Sequence, residues 1–439
     1  MGDLIANSDR ERIESLATRG ALPRIRRRAQ LLLLYDDGVQ TKDVADRVGL
    51  SRSRTRYWRR QYQSKGLGIF PGVEQRGEAG IEEAGQPQEE EASPVSENLV
   101  VQPAIKEIEA AEESKAFARL LSLKSPGVEP DDPIAEAGRK VLRYHFAEML
   151  RHQEGTRQGD DIEELHDMRV ATRRMRAAFD VFEGAFKSKA IQGHRKGLKE
   201  AGRALGNVRD LDVFMEKAQK YLEALPEDHR QGLEPLLSAW QEQREAARAE
   251  MLAYLDGEKY QNFKTTFLKF LDTPGAGARP VPKDKPAPDL VRHIAPVLIY
   301  TQLANVRAFN SILNTASIDQ LHALRIEFKR LRYTVEFFRE VLGEEAKEVI
   351  KDIKGLQDHL GDLNDARVAC EILREFLDNL EDRQLGLPVS ERKNPEPIVA
   401  YLAAKHSERH NLMISFPQAW ARFERPEFRH NLAMAIAAL

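Results

Sequence analysis

The chain has 439 residues, 67 Lys/Arg against 70 Asp/Glu, and only 7% aromatic residues. This length allows two or three domains with sizeable cores, and a composition leaning to Ala, Leu, Glu, Arg and Lys favours helices. A single cysteine, Cys370, excludes an internal disulfide and suits a reducing compartment. No apolar run approaches the roughly 20 residues that span a bilayer, and the opening MGDLIANSDR has no basic-then-apolar leader pattern. A cytoplasmic protein with no membrane partner is expected.

Residues 1–70 form a basic unit, with fifteen Lys/Arg and eight Asp/Glu. Within it, VQTKDVADRVGLSRSRTRYWRRQY has the form of a helix-turn-helix. Thr41 begins a helix with Val44, Ala45 and Val48 inward, Gly49 supplies the turn, and Ser51 caps the next helix. Thr55, Trp58 and Tyr62, at i, i+3 and i+7, make an inner face. Arg52, Arg54, Arg56 and Tyr57 then look outward, with Arg59 and Arg60 placed to neutralise phosphates. The segment resembles the helix-turn-helix of transposases and homeodomain-like regulators. That resemblance implies duplex DNA as a partner, contacted by Arg52, Arg54, Arg56 and Arg59. Small helical units of this kind also serve as protein-docking modules.

Residues 71–100 carry eight acids against the single Arg76. Gly, Pro, Ser and Glu without apolar periodicity predict a largely disordered acidic linker, extended to residue 129, with helical periodicity resuming from about Ile105. It reads as a solvated spacer, or as an acidic mimic that occupies a basic site in cis. SPGVEPDDP then punctuates the chain before a long helical region from Ile134 onward. DTPGAGARPVPKDKPAPD, at 272–289, divides that region into comparable halves, 130–271 and 290–385, followed by a helical extension over 386–439.

Each half contains one unusual phrase: LHDMRVATRRMR from Leu165 and LHALRIEFKRLR from Leu321. On a helix, His166, Arg169, Arg173 and Arg176 fall within an arc of about 80°. Leu165, Met168, Ala171, Met175, Phe179 and Phe182 gather on another side. His322, Arg325, Lys329 and Arg332 repeat the charged arc, and Leu321, Leu324, Phe328, Leu331, Val335 and Phe338 repeat the apolar one. One side anchors the helix and the other is a cationic strip about 15 Å long. Like charges at this spacing repel by a few tenths of a kcal/mol per pair, so something negative must face them. An ordinary solvated face would alternate in sign; the first arc holds no acid, and the second has Glu336 one turn beyond Arg332.

The repetition extends further. Aligning Leu205-Gly206 with Leu360-Gly361 pairs Lys196 with Lys351, Lys199 with Lys354 and Asp210 with Asp365. A duplicated set of helices would form a pseudo-twofold bundle with two cationic strips around a shared groove or pore. Asp210, Asp212, Asp362 and Asp365 are expected to orient individual arginines. They are too few to neutralise the whole set.

EELHDMRVATRRMRAAFDVF with GNVRDLDVF, then LHALRIEFKRLRYTVEFF with LQDHLGDLNDA, resemble the two halves of a CHAD domain, the conserved histidine α-helical domain. The resemblance covers roughly residues 130–380. It implies an all-α tandem-repeat bundle with a basic central pore that binds inorganic polyphosphate without catalysis or cofactor. Association with polyphosphate granules or the nucleoid would follow. Carried onto this chain, the histidines are His166 and His322. The basic ligands are Arg169, Arg173, Arg176, Arg325, Lys329 and Arg332, flanked by Arg174 and Arg330. Lys196, Lys199, Lys351 and Lys354 are further contacts, and Arg139 and Arg143, one turn apart, also line the pore. The second half's leading helix is poorer in charge and contains Pro296. Polyphosphate has no bases or sugars to read, so many charge-assisted donors suffice. Histidine adds either a donor whose charge rises below about pH 6.5 or a hydrogen bond that holds neighbouring helices.

Two alternatives stand beside this reading. A metal-dependent phosphohydrolase is suggested by His166-Asp167 and by His359, Asp362 and Asp365 at three-residue steps. The repeat carries neither: the second copy reads His322-Ala323, and Ala204 and Asn207 replace His359 and Asp362. No Glu-x-Glu-x-Lys run, Walker loop, Gly-x-Ser-x-Gly or Cys/His nucleophile is found. RNA or single-stranded DNA is the other candidate ligand, but such sites interleave aromatics for stacking, and Tyr333 is the one aromatic near the strips.

Overall fold

The computed structural model describes residues 4–5, 7–18, 23–48, 55–56, 58–59, 62–63, 66–70, 115–227, 230, 232–281 and 288–439. They fall into two compact units, divided at residue 96. Both are helical, and among the described residues the only β pairing is two isolated bridges, Pro133 with Leu290 and Phe186 with Ala278.

In the first unit, α1 (Asn7–Thr18) packs on α2 (Pro23–Asp36), and α2 on α3 (Thr41–Val48). Val44 and Val48 join Ile13, Leu31, Leu32, Trp58 and Tyr62 in one core. Thr55 is also buried, so the i, i+3, i+7 face is the inner one, as its spacing predicts. Asp36 ties the unit together: its carboxylate accepts from the backbone N–H groups of Leu4 and Ile5, both at 3.0 Å, and from Arg10 at 2.6 Å. Gly49, Ser51, Arg52, Arg54, Tyr57 and Arg60 lie outside the described residues.

The second unit is a duplicated bundle. Its first half runs through α4 (Ile134–Arg151), the short α5 (Gln153–Gln158), α6 (Ile162–Val181), α7 (Ser188–Ala224), α8 (Glu234–Asp256) and α9 (Glu258–Asp272). The second runs through α10 (Val291–Arg307), α11 (Ile318–Phe337), α12 (Ala346–Gln384), α13 (Glu396–Phe423) and α14 (Pro426–Ala437). In each half the leading helix packs on the basic helix, the basic helix on the long one, and the long one on the helix after it. Thus α13 lies along α12 as α8 lies along α7, so the segment that reads as an extension stands where the first half has α8.

Both basic helices begin on strong local signals. The Asp161 carboxylate accepts from the Glu163 N–H at 2.8 Å ahead of α6, and Ser317 and Gln320 form a reciprocal capping box ahead of α11. Each such cap stabilises its helix by about 1 kcal/mol. The apolar sides of α6 and α11 then bury in one large core that spans both halves. There Phe182 stacks on Phe337 at 6.2 Å and meets Phe338 edge-on at 5.5 Å. Gly138 lets α4 approach this junction, since a Cβ there would lie 2.8 Å from Phe182. Truncating Phe182 to Ala would destabilise by about 3–5 kcal/mol.

A second, smaller core forms where the far ends of the long helices meet. Ala218, Leu233, Leu236 and Trp240 of the first half join Leu373, Leu380, Ile398 and Tyr401 of the second. Tyr221 and Tyr401 rings lie 4.5 Å apart. The contacts close into a circuit: α6 on α7, α7 on α12 at this second core, α12 on α11, and α11 on α6.

Residues 115–129, read from sequence as the end of the linker, are folded instead. Residues 115–121 are helical, and Leu120 and Val128 are buried in the main core. Arg151 donates to the carbonyls of Leu121 and Leu123, and Glu340 accepts the Val128 N–H at 2.7 Å. The helical periodicity that resumes from about Ile105 supplies the apolar anchors, and backbone partners hold the Pro/Gly/Asp-rich part that follows.

Candidate polyanion-binding site

The cationic strips of α6 and α11 converge. Lys329 sits at the centre with Arg325 and Arg332 from its own helix and Arg169 and Arg173 from α6 around it. Among the described residues Lys329 makes no ion pair. Burial, reinforced by those four guanidiniums, pushes its ammonium down to about 7, because a desolvated charge among like charges is disfavoured. Burial also lowers Arg325, with Arg173 adding to the effect and Asp365 opposing it. The Nε atoms of Arg173, Arg325 and Arg332 are buried without a hydrogen-bond partner. These donors are pre-placed with few carboxylates to occupy them.

The Leu-Gly pairs lie directly beneath this centre. A Cβ at Gly206 would stand 3.5 Å from Arg169 Nε, and one at Gly361 would stand 3.9 Å from Arg325 Nε. In both copies, then, the arginine of the basic helix crosses the long helix at its glycine, at van der Waals distance. Arg176 crosses Gly202 likewise, 3.6 Å from a Cβ placed there.

The carboxylates divide. Arg169 donates to Asp210 at 2.9 Å, and burial raises the Asp210 carboxyl despite Arg169. Asp365 accepts from Lys217 at 2.9 Å, a bond that joins the first half's long helix to the second's. Partial desolvation between the packed helices raises the Asp362 carboxyl, with Asp365, Glu408 and Asp358 adding to it and Lys217 opposing. Asp212 does not serve the strip. It is buried and paired with Arg244 of α8 at 2.5 Å, because at two residues from Asp210 it points to the opposite side of α7.

The histidines are not equivalent. His322 Nδ1 and Asn364 Oδ1 lie 2.7 Å apart, a hydrogen bond that fixes α11 on α12. His166 has Arg209 beside it, and burial followed by that guanidinium lowers it from the usual imidazole range. In the free protein His166 is thus held toward its neutral form. His359 Nε2 lies 2.8 Å from the Leu412 carbonyl of α13, and among the described residues His359, Asp362 and Asp365 do not gather into a group that could hold a metal ion.

Other expected contacts are redirected. Arg139, 1% exposed, donates to the Thr273 carbonyl and to Glu136, and Arg143 donates to the Leu271 carbonyl at 2.6 Å. Both satisfy carbonyls at the carboxy end of α9, where unpaired acceptors and the helix dipole favour a cation. They hold the bundle and do not line the groove. Arg174 turns away from the charged arc to Glu336 at 3.3 Å, and Glu336 also faces Arg332 at 3.7 Å. Arg330 is exposed and pairs with Glu327 at 2.5 Å. Lys196, Lys199 and Lys354 are exposed, and Lys351 pairs with Glu348 at 3.1 Å. Lys199 and Lys354 precede Asp210 and Asp365 by eleven residues, about three turns, and so extend the same side of the long helices. Sequence reasoning passed over Arg209, whose Nε and Nη1 are buried without partners, and Lys217. Arg209 stands inside GNVRDLDVF at the position aligned with Asn364, a signal that was available.

In the amino-terminal unit, Arg56 and Arg59 are exposed beside Gln40, Thr41 and Lys42 at the start of α3. Arg59 lies 5.0 Å from the centre of the Tyr35 ring.

The CHAD domain profile matches residues 140–374, and a Homeodomain-like domain profile matches residues 22–68. Two uncharacterized proteins of Mycobacterium tuberculosis, MT2285 and Rv2226, are each 26% identical over 270 residues, 58% of this chain and 49% of theirs. The chain spans about half the length of these curated relatives. Among solved structures, the CHAD domain from the plant Ricinus communis is 21% identical with a TM-score of 0.48, covering 71% of this chain and 94% of that one. PptA from Streptomyces chartreusis is 15% identical with a TM-score of 0.46, covering 66% and 100%. No helix among the described residues is long and apolar enough to cross a membrane.

Proposed function

Because the chain belongs to the CHAD family and carries a homeodomain-like domain ahead of it, we propose that it binds inorganic polyphosphate without catalysis and couples that domain to duplex DNA. The observation that carries the first part is Lys329, largely buried among Arg169, Arg173, Arg325 and Arg332 from two helices. Such a cluster opposes itself until an anion enters, and the anion must be long enough to meet charges along both strips. Arginine forks grip phosphate oxygens in pairs, while Lys329 acts as a point charge. Arg176, Lys199 and Lys354 continue the path outward.

A chain without bases fits this groove better than RNA or single-stranded DNA. Tyr333, the one aromatic near the strips, is 3% exposed and stacked on Phe337 at 5.9 Å. It has no free face for a base. The DNA reading of the first unit rests on its helix-turn-helix pattern and on the exposed Arg56 and Arg59.

Calorimetry of the full chain with long-chain polyphosphate at low and high salt tests the groove. Binding that falls steeply with salt is expected, since each neutralised phosphate releases counterions. Absence of binding at low salt, or binding indifferent to salt, overturns the proposal. Preference for single-stranded nucleic acid in competition would favour the other ligand.

A further inference from the structure

On the opposite side of α6 from its charged arc, a cavity of about 530 Å³ opens between α4, α6, α11 and the start of α12. Its chemistry differs from the groove's. Tyr144, His145 and Phe337 contribute rings, and Arg174, Arg339 and Lys347 contribute positive charge. The volume suits a small organic ligand, and the mixture of rings and cations suits one with an aromatic part and an anionic part. We propose that this cavity is a second ligand site, and that it takes a nucleoside phosphate.

His145 carries the argument for a base. It is 5% exposed, with the Tyr144 and Phe337 rings at 5.2 and 5.9 Å, and no hydrogen-bond partner for it is found among the described residues. Burial, then Arg174, pushes this imidazole down to about 3, so it stands neutral. A neutral imidazole offers one donor and one acceptor, both of which the polar edge of a nucleobase can meet, whereas an ionised phosphate can meet only the donor. Phosphate has its own partners at the mouth: Arg339 and Lys347 are exposed, Arg339 makes no ion pair among the described residues, and Lys347 pairs with Glu344, a solvent-exposed contact that a phosphate would have to displace. The two acids of the cavity are already engaged. Glu340 accepts the Val128 N–H at 2.7 Å, and Glu336 lies between Arg174 and Arg332. At the floor, Arg174 Nε is buried without a partner.

The site does not depend on polyphosphate binding in the groove, so the two can fail separately. The test is calorimetric titration with ATP, adenosine and tripolyphosphate at fixed low salt, of the full chain and of the full chain carrying Arg169→Ala with Arg325→Ala, the ligands being compared in the latter so that the groove does not contribute. ATP is expected to bind at least tenfold more tightly than either part alone. Arg339→Ala with Lys347→Ala, both surface positions, should weaken ATP at least tenfold with an unchanged thermal melt. Arg169→Ala with Arg325→Ala should change ATP affinity by less than twofold. Tripolyphosphate matching ATP would reduce the cavity to an anion site and overturn the nucleotide assignment. So would ATP binding that disappears with the groove pair, or no ATP binding to the folded chain.

Discussion

Replacing Lys329 by Met keeps the side chain's length and removes its charge, and the consequences follow from where that charge sits. An unfolded lysine titrates near 10.4, whereas burial beneath Arg325, Arg173, Arg169 and Arg332 holds this one at about 7. Between those values the unfolded chain binds the proton and the folded chain does not, so stability rises with pH through that window and is level outside it. The full displacement would correspond to about 4–5 kcal/mol. Solvent reaching the groove screens it, and about 2 kcal/mol is the magnitude to expect. Without ligand, Lys329→Met should therefore be about 2 kcal/mol more stable than the parent at pH 7, and the difference should shrink toward pH 10. Urea unfolding at both pH values and one ionic strength measures it. Polyphosphate should reverse the sign of the effect on the lysine: an anion beside it raises its affinity for a proton, so binding near pH 8 should take up protons. Calorimetry in buffers of different ionisation enthalpy reads that uptake, and the Met variant should lose most of it. A variant less stable at pH 7, or a stability difference independent of pH, would show that the Lys329 ammonium is satisfied in the free protein and that the repulsive centre does not exist.

Arg169→Ala with Arg325→Ala should lower polyphosphate affinity by about 100-fold at low salt, at about 1.5 kcal/mol per lost charged contact, while the thermal melt barely moves. A large drop in melting temperature would instead make these arginines structural partners of Asp210 and Asp365. Arg139→Ala should do the converse, destabilising by about 3 kcal/mol because Glu136 and the Thr273 carbonyl are left unpaired, with polyphosphate affinity preserved in the folded fraction. In band shifts, residues 1–96 should bind duplex DNA weakly and with salt sensitivity, and changing Arg52, Arg54 and Arg56 to Gln should reduce it. A folded fragment that ignores DNA at low salt would make the unit a docking module.

The sequence made the two strips legible because helical period and charge are local properties: four positions on one side of α6 and four on one side of α11 needed no knowledge of the fold. The caps at Asp161 and Ser317 were equally local. Arg139 was misplaced because it shares the spacing of a strip residue: Ala135 and Leu142, one turn away, hint at a buried face, but Glu136 and Arg143, also one turn away, give the mixed pattern of an exposed one. Lys217 had no such mark. Its partner Asp365 is 148 residues away, and nothing within either helix indicates that the two cross. The fold of residues 115–129 was legible only in part: helical periodicity resumes from about Ile105, and Phe117, Leu120 and Leu123 carry it, but the partners that bury Leu120 and Val128 all lie downstream.

The second core has a consequence for how the protein is made. Leu233, Leu236 and Trp240 emerge from the ribosome well before Ile398 and Tyr401, which cover them. At about 5–20 residues per second, the first half waits roughly 8–30 s with its far end bare. During synthesis that tip is a sticky apolar surface, and a neighbouring nascent copy could supply the second-half hairpin as readily as the chain's own. Slowing elongation between residues 240 and 401 should therefore favour exchanged dimers over monomers, whereas refolding of the complete chain at high dilution should not.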